Sequence, residues 1–148
     1  MYLLDTNVVS ELRRPKPHQG VLTWLSGVAA EQLFLSAVTV GEIQAGIEIT
    51  REQDSTKAEE LETWLNRVLA SYNILSVDAA AFRVWTRLKH RRSDTLMEDA
   101  LIAATAVVHR LTIVTRNVDD FAQFGVEILD PFESGEERQL IEEQIEEQ

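Results

Sequence analysis

The chain has 148 residues, 45 % of them apolar and 26 % charged, and no cysteine. That length supports one domain with its own core, and the missing cysteine excludes thiol catalysis, Cys-ligated zinc and disulfide staples. The net charge of −11 would oppose a polyanionic partner if it were evenly spread, but residues 133–148 alone hold seven Glu and one Arg, a net of −6, leaving −5 for residues 1–132.

Along the chain, short apolar runs alternate with longer segments of helical spacing. Tyr2–Leu4, Leu33–Ser36, Ile74–Val77, Thr112–Thr115 and Val126–Leu129 are the predicted strands. Between them, Ala58 to Ala70 carries Leu61, Trp64, Leu65, Val68 and Leu69 as one helical stripe. Pro15 and Pro17 are expected to close the first helix, and Gly125 to separate a short helix at Asp119–Phe124 from the last strand. Such alternation predicts a parallel sheet covered by helices on both faces. The division expected is a domain over 1–132 and a Glu-rich tail over 133–148, the tail either a sparse helix with Leu140, Ile141 and Ile145 or unfolded until a partner arrives. The N-terminus lacks the basic stretch of a signal peptide. The longest strongly apolar run, Ala100 to Val108, is about half a membrane helix. The expectation is a cytoplasmic protein that makes no membrane contact.

In an open parallel sheet, ligands bind beyond the carboxyl ends of the strands. Asp5 directly follows Tyr-Leu-Leu, where it either serves a site or caps the helix beginning near Asn7. Glu42 ends a Thr39-x-x-Glu42 capping-box spacing, yet Ala45 and Gly46, one turn on, read as a close-packing surface, which favours a functional Glu42. Asp99 heads an apolar helical face continuing through Ile102, Ala103 and Ala106. A carboxylate buried there needs a cation, a proton or a partner, and an ion pair with Arg116 is the structural alternative. Glu98 reads as the far end of a second box, Thr95-x-x-Glu98. After Thr112–Thr115 come Arg116, Asn117, Asp119 and Asp120, where Asn117 and Asp120 are either supporting ligands or helix caps.

Several carboxylates about 4 Å apart repel by roughly 4 kcal/mol per pair at an effective dielectric near 20, so gathering them requires a cation. Oxygen-only donors select a hard ion, Mg²⁺ or Mn²⁺. His18, His90 and His109 form no H-x-x-x-H pair, which argues against zinc. A phosphotransfer domain also places an Asp after its first strand, but Asp5-Thr6-Asn7 lacks the adjacent acidic pair and no Lys follows a late strand.

Four segments in order, MYLLDTNVVSEL, S-x-x-x-x-G-E-I at 36–43, EDALIAATA at 98–106 and VTRNVDDF at 114–121, resemble the PIN-domain ribonucleases, and more narrowly the VapC-type toxins of toxin–antitoxin pairs. The resemblance spans residues 1 to about 132. It implies a three-layer α/β/α fold with a central parallel sheet of about five strands, an acidic pocket for Mg²⁺ or Mn²⁺, and endonucleolytic cleavage of RNA. It further implies a small antitoxin partner, and a homodimer within a heterotetramer or larger assembly. The family's acidic positions fall on Asp5, Glu42 and Asp99. Its fourth falls in the Thr-Arg-Asn segment, where this chain has Asn117, with Asp120 as the alternative. The run RRSDTLME at 91–98 replaces the glycine and more neutral residues that members often carry there.

In that scheme Asp5 and Asp99 hold an ion, Glu42 orients a second ion or the attacking water, and Thr6 and Thr115 support the ligands. Arg13, Arg14 and Lys16, together with Arg83, Arg87, Lys89, Arg91 and Arg92, are candidates for contacting RNA phosphates, although a solvated helix face accounts for such clusters equally. A non-cleaving RNA- or protein-binding module is the alternative function, disfavoured because a pure binder has no need of a buried Asp99.

Overall fold

The computed structural model describes residues 1–133. Five strands, β1 (Tyr2–Leu4), β2 (Leu33–Ser36), β3 (Asn73–Leu75), β4 (Thr112–Val114) and β5 (Ile128–Leu129), form one sheet in the order β3-β2-β1-β4-β5. All four pairings are parallel, with Leu3 opposite Phe34 and Ile113 across the two central junctions. The helices are α1 (Thr6–Glu11), α2 (Gln19–Ser26), α3 (Ala37–Gln53), α4 (Ser55–Ser71), α5 (Ala79–Lys89), α6 (Met97–His109) and α7 (Val118–Ala122).

Strand alternation builds three layers. Leu3, Phe34, Ile113 and Ile128 point into one core with Trp85 and Leu88 of α5, Ile102, Ala103 and Ala106 of α6, and Phe121 of α7. Their neighbours Leu4, Leu35, Val114 and Leu129 point the other way, into a core with Val8 and Val9 of α1, Val21 and Trp24 of α2, Ile43 of α3 and Val68 of α4. A shift of one residue in β1 would exchange Leu3 and Leu4 between two filled cores, so burial on both faces fixes the register. The three-layer fold expected from the alternation is the fold observed. Among the described residues no helix is long and apolar enough to cross a membrane.

Several boundaries differ from those read in the sequence. The third strand is Asn73–Leu75 rather than Ile74–Val77, because Asn73 pairs with Phe34 and Asp78 already caps α5 through Ala81 N–H at 3.0 Å. The fifth strand keeps only Ile128–Leu129, and β4 stops at Val114. The first helix ends at Glu11, so neither Pro15 nor Pro17 closes it. Helix α4 starts at Ser55 on an Asp54 cap, and Leu69 leaves the expected stripe at 39 % exposure, while Ala58, Leu65 and Val68 are buried. The tail's expected states lie outside the described residues, beyond residue 133.

The order β3-β2-β1-β4-β5 reverses direction at β1, since the chain winds outward to β2 and β3 and then returns to place β4 on the other side. Parallel sheets open a crevice at such a switch, beyond the strand carboxyl ends. Asp5 leaves β1 there, Thr115 leaves β4, and Ser36 caps α3 at the end of β2 through Val38 N–H at 3.1 Å.

Candidate active site

Asp5 is 4 % exposed. Its Oδ1 accepts the Thr6 N–H at 2.8 Å, as an N-cap would, while Oδ2 accepts the Thr115 hydroxyl at 2.9 Å and the Asn7 amide at 3.2 Å. The cap and the site readings of Asp5 are therefore both realised, on different oxygens. Burial raises its pKa against the pull of these three donors, and the charge of Asp120 adds to the rise.

Glu42 sits on the second turn of α3, half-buried. The cap of that helix is Ser36, so the Thr39-x-x-Glu42 capping box is not formed. Thr39 is fully buried and its hydroxyl lies 3.3 Å from that of Thr6, which donates instead to Glu42 Oε2 at 2.8 Å. Burial is the main cause that pushes the Glu42 carboxyl up to about 7, with the Glu98 and Asp5 charges next. Ala45 and Gly46 are exposed, so the close-packing surface expected beside Glu42 is absent. Its place in the site rests instead on Thr6.

Asp99 stands in the first turn of α6, half-buried above Ile102, Ala103 and Ala106. A helix N-terminus favours negative charge, yet burial, followed by the charges of Asp5, Asp120 and Glu98, pushes it up to about 6. Arg116 does not pair with it: the guanidinium lies over the Phe132 ring, 4.6 Å from the centroid. Among the described residues the ion pairs are Arg14–Glu11, Lys57–Glu60 and those of Arg51 with Glu48, Glu59 and Glu62, so none reaches a carboxylate of this crevice.

Asn117 is exposed at the start of α7 and its side chain makes no cap bond; its N–H donates to Thr115 Oγ1 at 2.9 Å. Asp120, in the first turn of α7, is the residue whose charge reaches both Asp5 and Asp99. Two further residues, Asn7 and Glu98, join the site without having been assigned to it from the sequence. Asn7 bridges Asp5, Thr115 (3.2 Å) and the Arg116 N–H, which its Oδ1 accepts at 3.2 Å. Glu98 follows an N-cap at Leu96 rather than Thr95, and its carboxyl adjoins that of Glu42, whose pKa it raises. The D-T-N run after β1 and the doubled acid at 98–99 were the available signals.

The basic candidates stay away from these carboxylates. Arg13, Arg14, Arg87, Arg91 and Arg92 are exposed; Arg14 pairs with Glu11, and Arg92 donates to Gln123 Oε1 at 3.1 Å. Lys89 lies over the Trp85 ring.

Asp5, Glu42, Glu98, Asp99 and Asp120 thus come together at one end of the sheet with no ion pair to a protein cation among the described residues, and burial holds at least three of them above their ordinary titration range. Among the described residues no three side chains close into a ready cage. An ion that keeps several of its waters and takes one or two carboxylates directly, as Mg²⁺ does, needs no such cage. The donor set, all oxygen and largely anionic, fits a hard divalent cation.

A parallel α/β/α sheet with an acidic crevice at its switch point defines the class of protein. The PIN-domain model matches residues 2–127, and the chain belongs to that family. It is 38 % identical over 141 residues to the plasmid stability protein StbB of Pseudomonas syringae pv. tomato, covering 90 % of this chain and all of that one. It is 33 % identical to the toxin FitB of Neisseria gonorrhoeae (89 % and 99 % covered) and to the VapC ribonuclease Y4jK of Sinorhizobium fredii (90 % and 99 %). In three dimensions it is similar to FitAcB from Neisseria gonorrhoeae, with a TM-score of 0.80, 32 % identity, and 89 % and 99 % of the two chains covered.

Proposed function

We propose that the chain is the toxin of a toxin–antitoxin pair, a cytoplasmic endoribonuclease whose residues 1–132 form the nuclease domain and whose activity requires Mg²⁺ or Mn²⁺. The observation that carries this reading is the convergence of Asp5, Glu42, Asp99 and Asp120 at the sheet switch with no ion pair among the described residues to neutralise them. The names of its relatives, a toxin and a VapC ribonuclease among them, agree with it.

Asp5 and Asp99 would hold the ion, with Asp120 rather than Asn117 completing the acidic set and Glu42 orienting the water that attacks the phosphodiester. When bound, the ion would supply a lowered water pKa and neutralise charge on the attacked phosphate. Thr115 and Asn7 fix the Asp5 carboxylate, and Thr6 fixes Glu42. The antitoxin would silence the crevice by placing an Arg fork among the carboxylates, supplying the ion pairs that they lack, and a toxin dimer with two antitoxin chains is the assembly expected.

The test is cleavage of a labelled single-stranded RNA by the purified chain. Cleavage should require Mg²⁺ or Mn²⁺ and stop in EDTA. Undiminished cleavage in excess EDTA would overturn the metal-dependent reading.

A further inference from the structure

An acidic crevice must still admit a polyanion, so some cation has to stand close to it. Arg116 is placed to do so. It follows Thr115, whose hydroxyl holds Asp5, and its own N–H is bound by Asn7, which also holds Asp5. Its side chain is exposed and has no ion pair among the described residues. It lines one cavity with Asn117, Val118 and the carboxylates Asp119, Asp120, Asp130 and Glu133, and in that lining it is the cation.

What sets its direction comes from the far end of the domain. The guanidinium lies on the ring of Phe132, and that ring also meets the His18 imidazole, 5.3 Å between centroids. His18 is pinned in turn: its N–H donates to the buried Glu11 at 2.9 Å, and its Nδ1 accepts the Gly20 N–H at 3.0 Å. Gly20 packs so closely on this segment that a Cβ there would sit 2.7 Å from the Pro131 carbonyl oxygen, and the Phe132 N–H is held by Asp130 at 2.9 Å. Three elements thus converge to fix one aromatic ring. The guanidinium carbon sits 4.6 Å from the ring centroid, a cation–π contact that uses none of its N–H donors, the groups that fork onto a phosphate.

Resting on the nuclease reading above, we infer that Arg116 grips a phosphate of the RNA strand entering the crevice, and that Phe132 is a positioning residue holding the guanidinium in its gripping orientation. The contact supplies binding to the strand rather than chemistry at the cleaved bond. Removing it therefore raises KM and leaves kcat nearly unchanged.

The experiment measures binding of a fluorescent single-stranded RNA by anisotropy in EDTA, across a salt series, alongside Mg²⁺-dependent cleavage and thermal melting. Arg116→Ala should weaken binding about tenfold, on the order of one charged hydrogen bond, and flatten the log–log salt slope by about 0.7. Arg116→Lys and Phe132→Leu should each cost about threefold and keep the slope, because the charge stays while its orientation is lost. Phe132→Tyr should bind as the parent does. With Mg²⁺, Arg116→Ala should raise KM by a similar factor and change kcat less than about threefold.

Binding and slope left unchanged in Arg116→Ala, with a lower melting temperature, would mean that the arginine merely fastens the Phe132 segment, and the inference falls. Parent-like binding by Phe132→Leu overturns the positioning role. A parent protein that binds but never cuts, with Arg116→Ala binding more weakly, rejects the nuclease reading and keeps the phosphate contact.

Discussion

Two halves of the crevice treat their carboxylates differently. At the β1–β4 junction Asp5 is nearly inaccessible and accepts three hydrogen bonds, from a backbone N–H, a buried hydroxyl and an amide that is itself tied to the next residues of β4. At the α3–α6 rim Glu42 has one hydroxyl donor, Thr6, and otherwise meets Glu98, while the charges that reach Asp99 are all acidic. Burial disfavours ionisation in both halves, but the first sets three donors against it at one carboxylate, while at the rim Thr6 is a single donor, to Glu42. The junction is finished by the fold. The rim is left for a cation to finish, and metal removal should disturb it first.

The sharpest way to break this comparison is Asp99→Asn. With metal present, cleavage should fall by about three orders of magnitude, since an ion's contribution is worth several kcal/mol and each 1.36 kcal/mol is tenfold. In EDTA the same variant should melt at or above the parent's temperature, because it removes one of several mutually repelling charges. Had Asp99 been half of a structural ion pair, its loss would cost about 3–5 kcal/mol. A large fall in melting temperature in EDTA would return Asp99 to that structural role.

The pH dependence of the metal-free protein follows from the rim. Glu42 and Asp99 titrate near 7 and 6 in the fold against ordinary values of 4.5 and 3.8, so the folded state retains protons that the unfolded chain has already released. Their contribution to stability is present below pH 4 and is lost as pH rises through 6 and 7. In EDTA, melting temperature should decline across that window, and Mg²⁺ should raise it more at pH 8 than at pH 5, because the ion binds the deprotonated carboxylates. A melting temperature that rises over the same window in EDTA would contradict the unpaired rim.

A smaller effect separates the halves from the other side. Thr115→Val keeps shape but removes the donor to Asp5 and the acceptor for the Asn117 N–H, both at 2.9 Å. Thr115 is fully buried, so the cost should be about 1–3 kcal/mol, read as a lower melting temperature with or without metal. Thr6→Val, at the half-exposed rim, should cost less stability while loosening Glu42. Equal destabilisation by the two would erase the distinction.

The halves were also unequally legible in the sequence. Asp5 could be placed because three apolar residues before it have a strand's alternation and the chain must turn at the sheet's end. Asp99 could be placed because an apolar helix gives a carboxylate nowhere to hide. Glu42 was placed for a partly mistaken reason: Ala45 and Gly46 are exposed, and what holds Glu42 is Thr6, 36 residues away. Asn7 was passed over, and Glu98 read as a helix cap, on similar grounds, since their roles depend on which strands neighbour β1 and on how α6 lies beside α3. Local spacing also proposed a capping box at Thr39–Glu42 that the fold does not form, because Ser36 takes the cap position, and a cap at Thr95 where Leu96 stands instead. Boundaries failed where tertiary pairing overrode pattern, as at Asn73, and where a two-residue edge strand carries too little pattern of its own, as at β5.

The smallest predicted difference concerns the fourth acidic position, which the sequence left between Asn117 and Asp120. Asn117 is exposed, and only its backbone N–H contributes, through Thr115. Asp120 sends its charge to one carboxylate in each half, Asp5 at the junction and Asp99 at the rim. It is therefore the residue through which the two halves would share an ion, while being exposed enough to leave folding unaffected. Asp120→Asn should lower metal-dependent cleavage about tenfold to a hundredfold, raise the Mg²⁺ concentration giving half-maximal activity, and leave the melting temperature in EDTA unchanged or slightly higher. Asn117→Ala should change cleavage less than about threefold, since the backbone bond to Thr115 survives the substitution. A larger loss in Asn117→Ala than in Asp120→Asn would move the fourth position back to the end of β4, and with it the point where the finished half of the crevice meets the unfinished one.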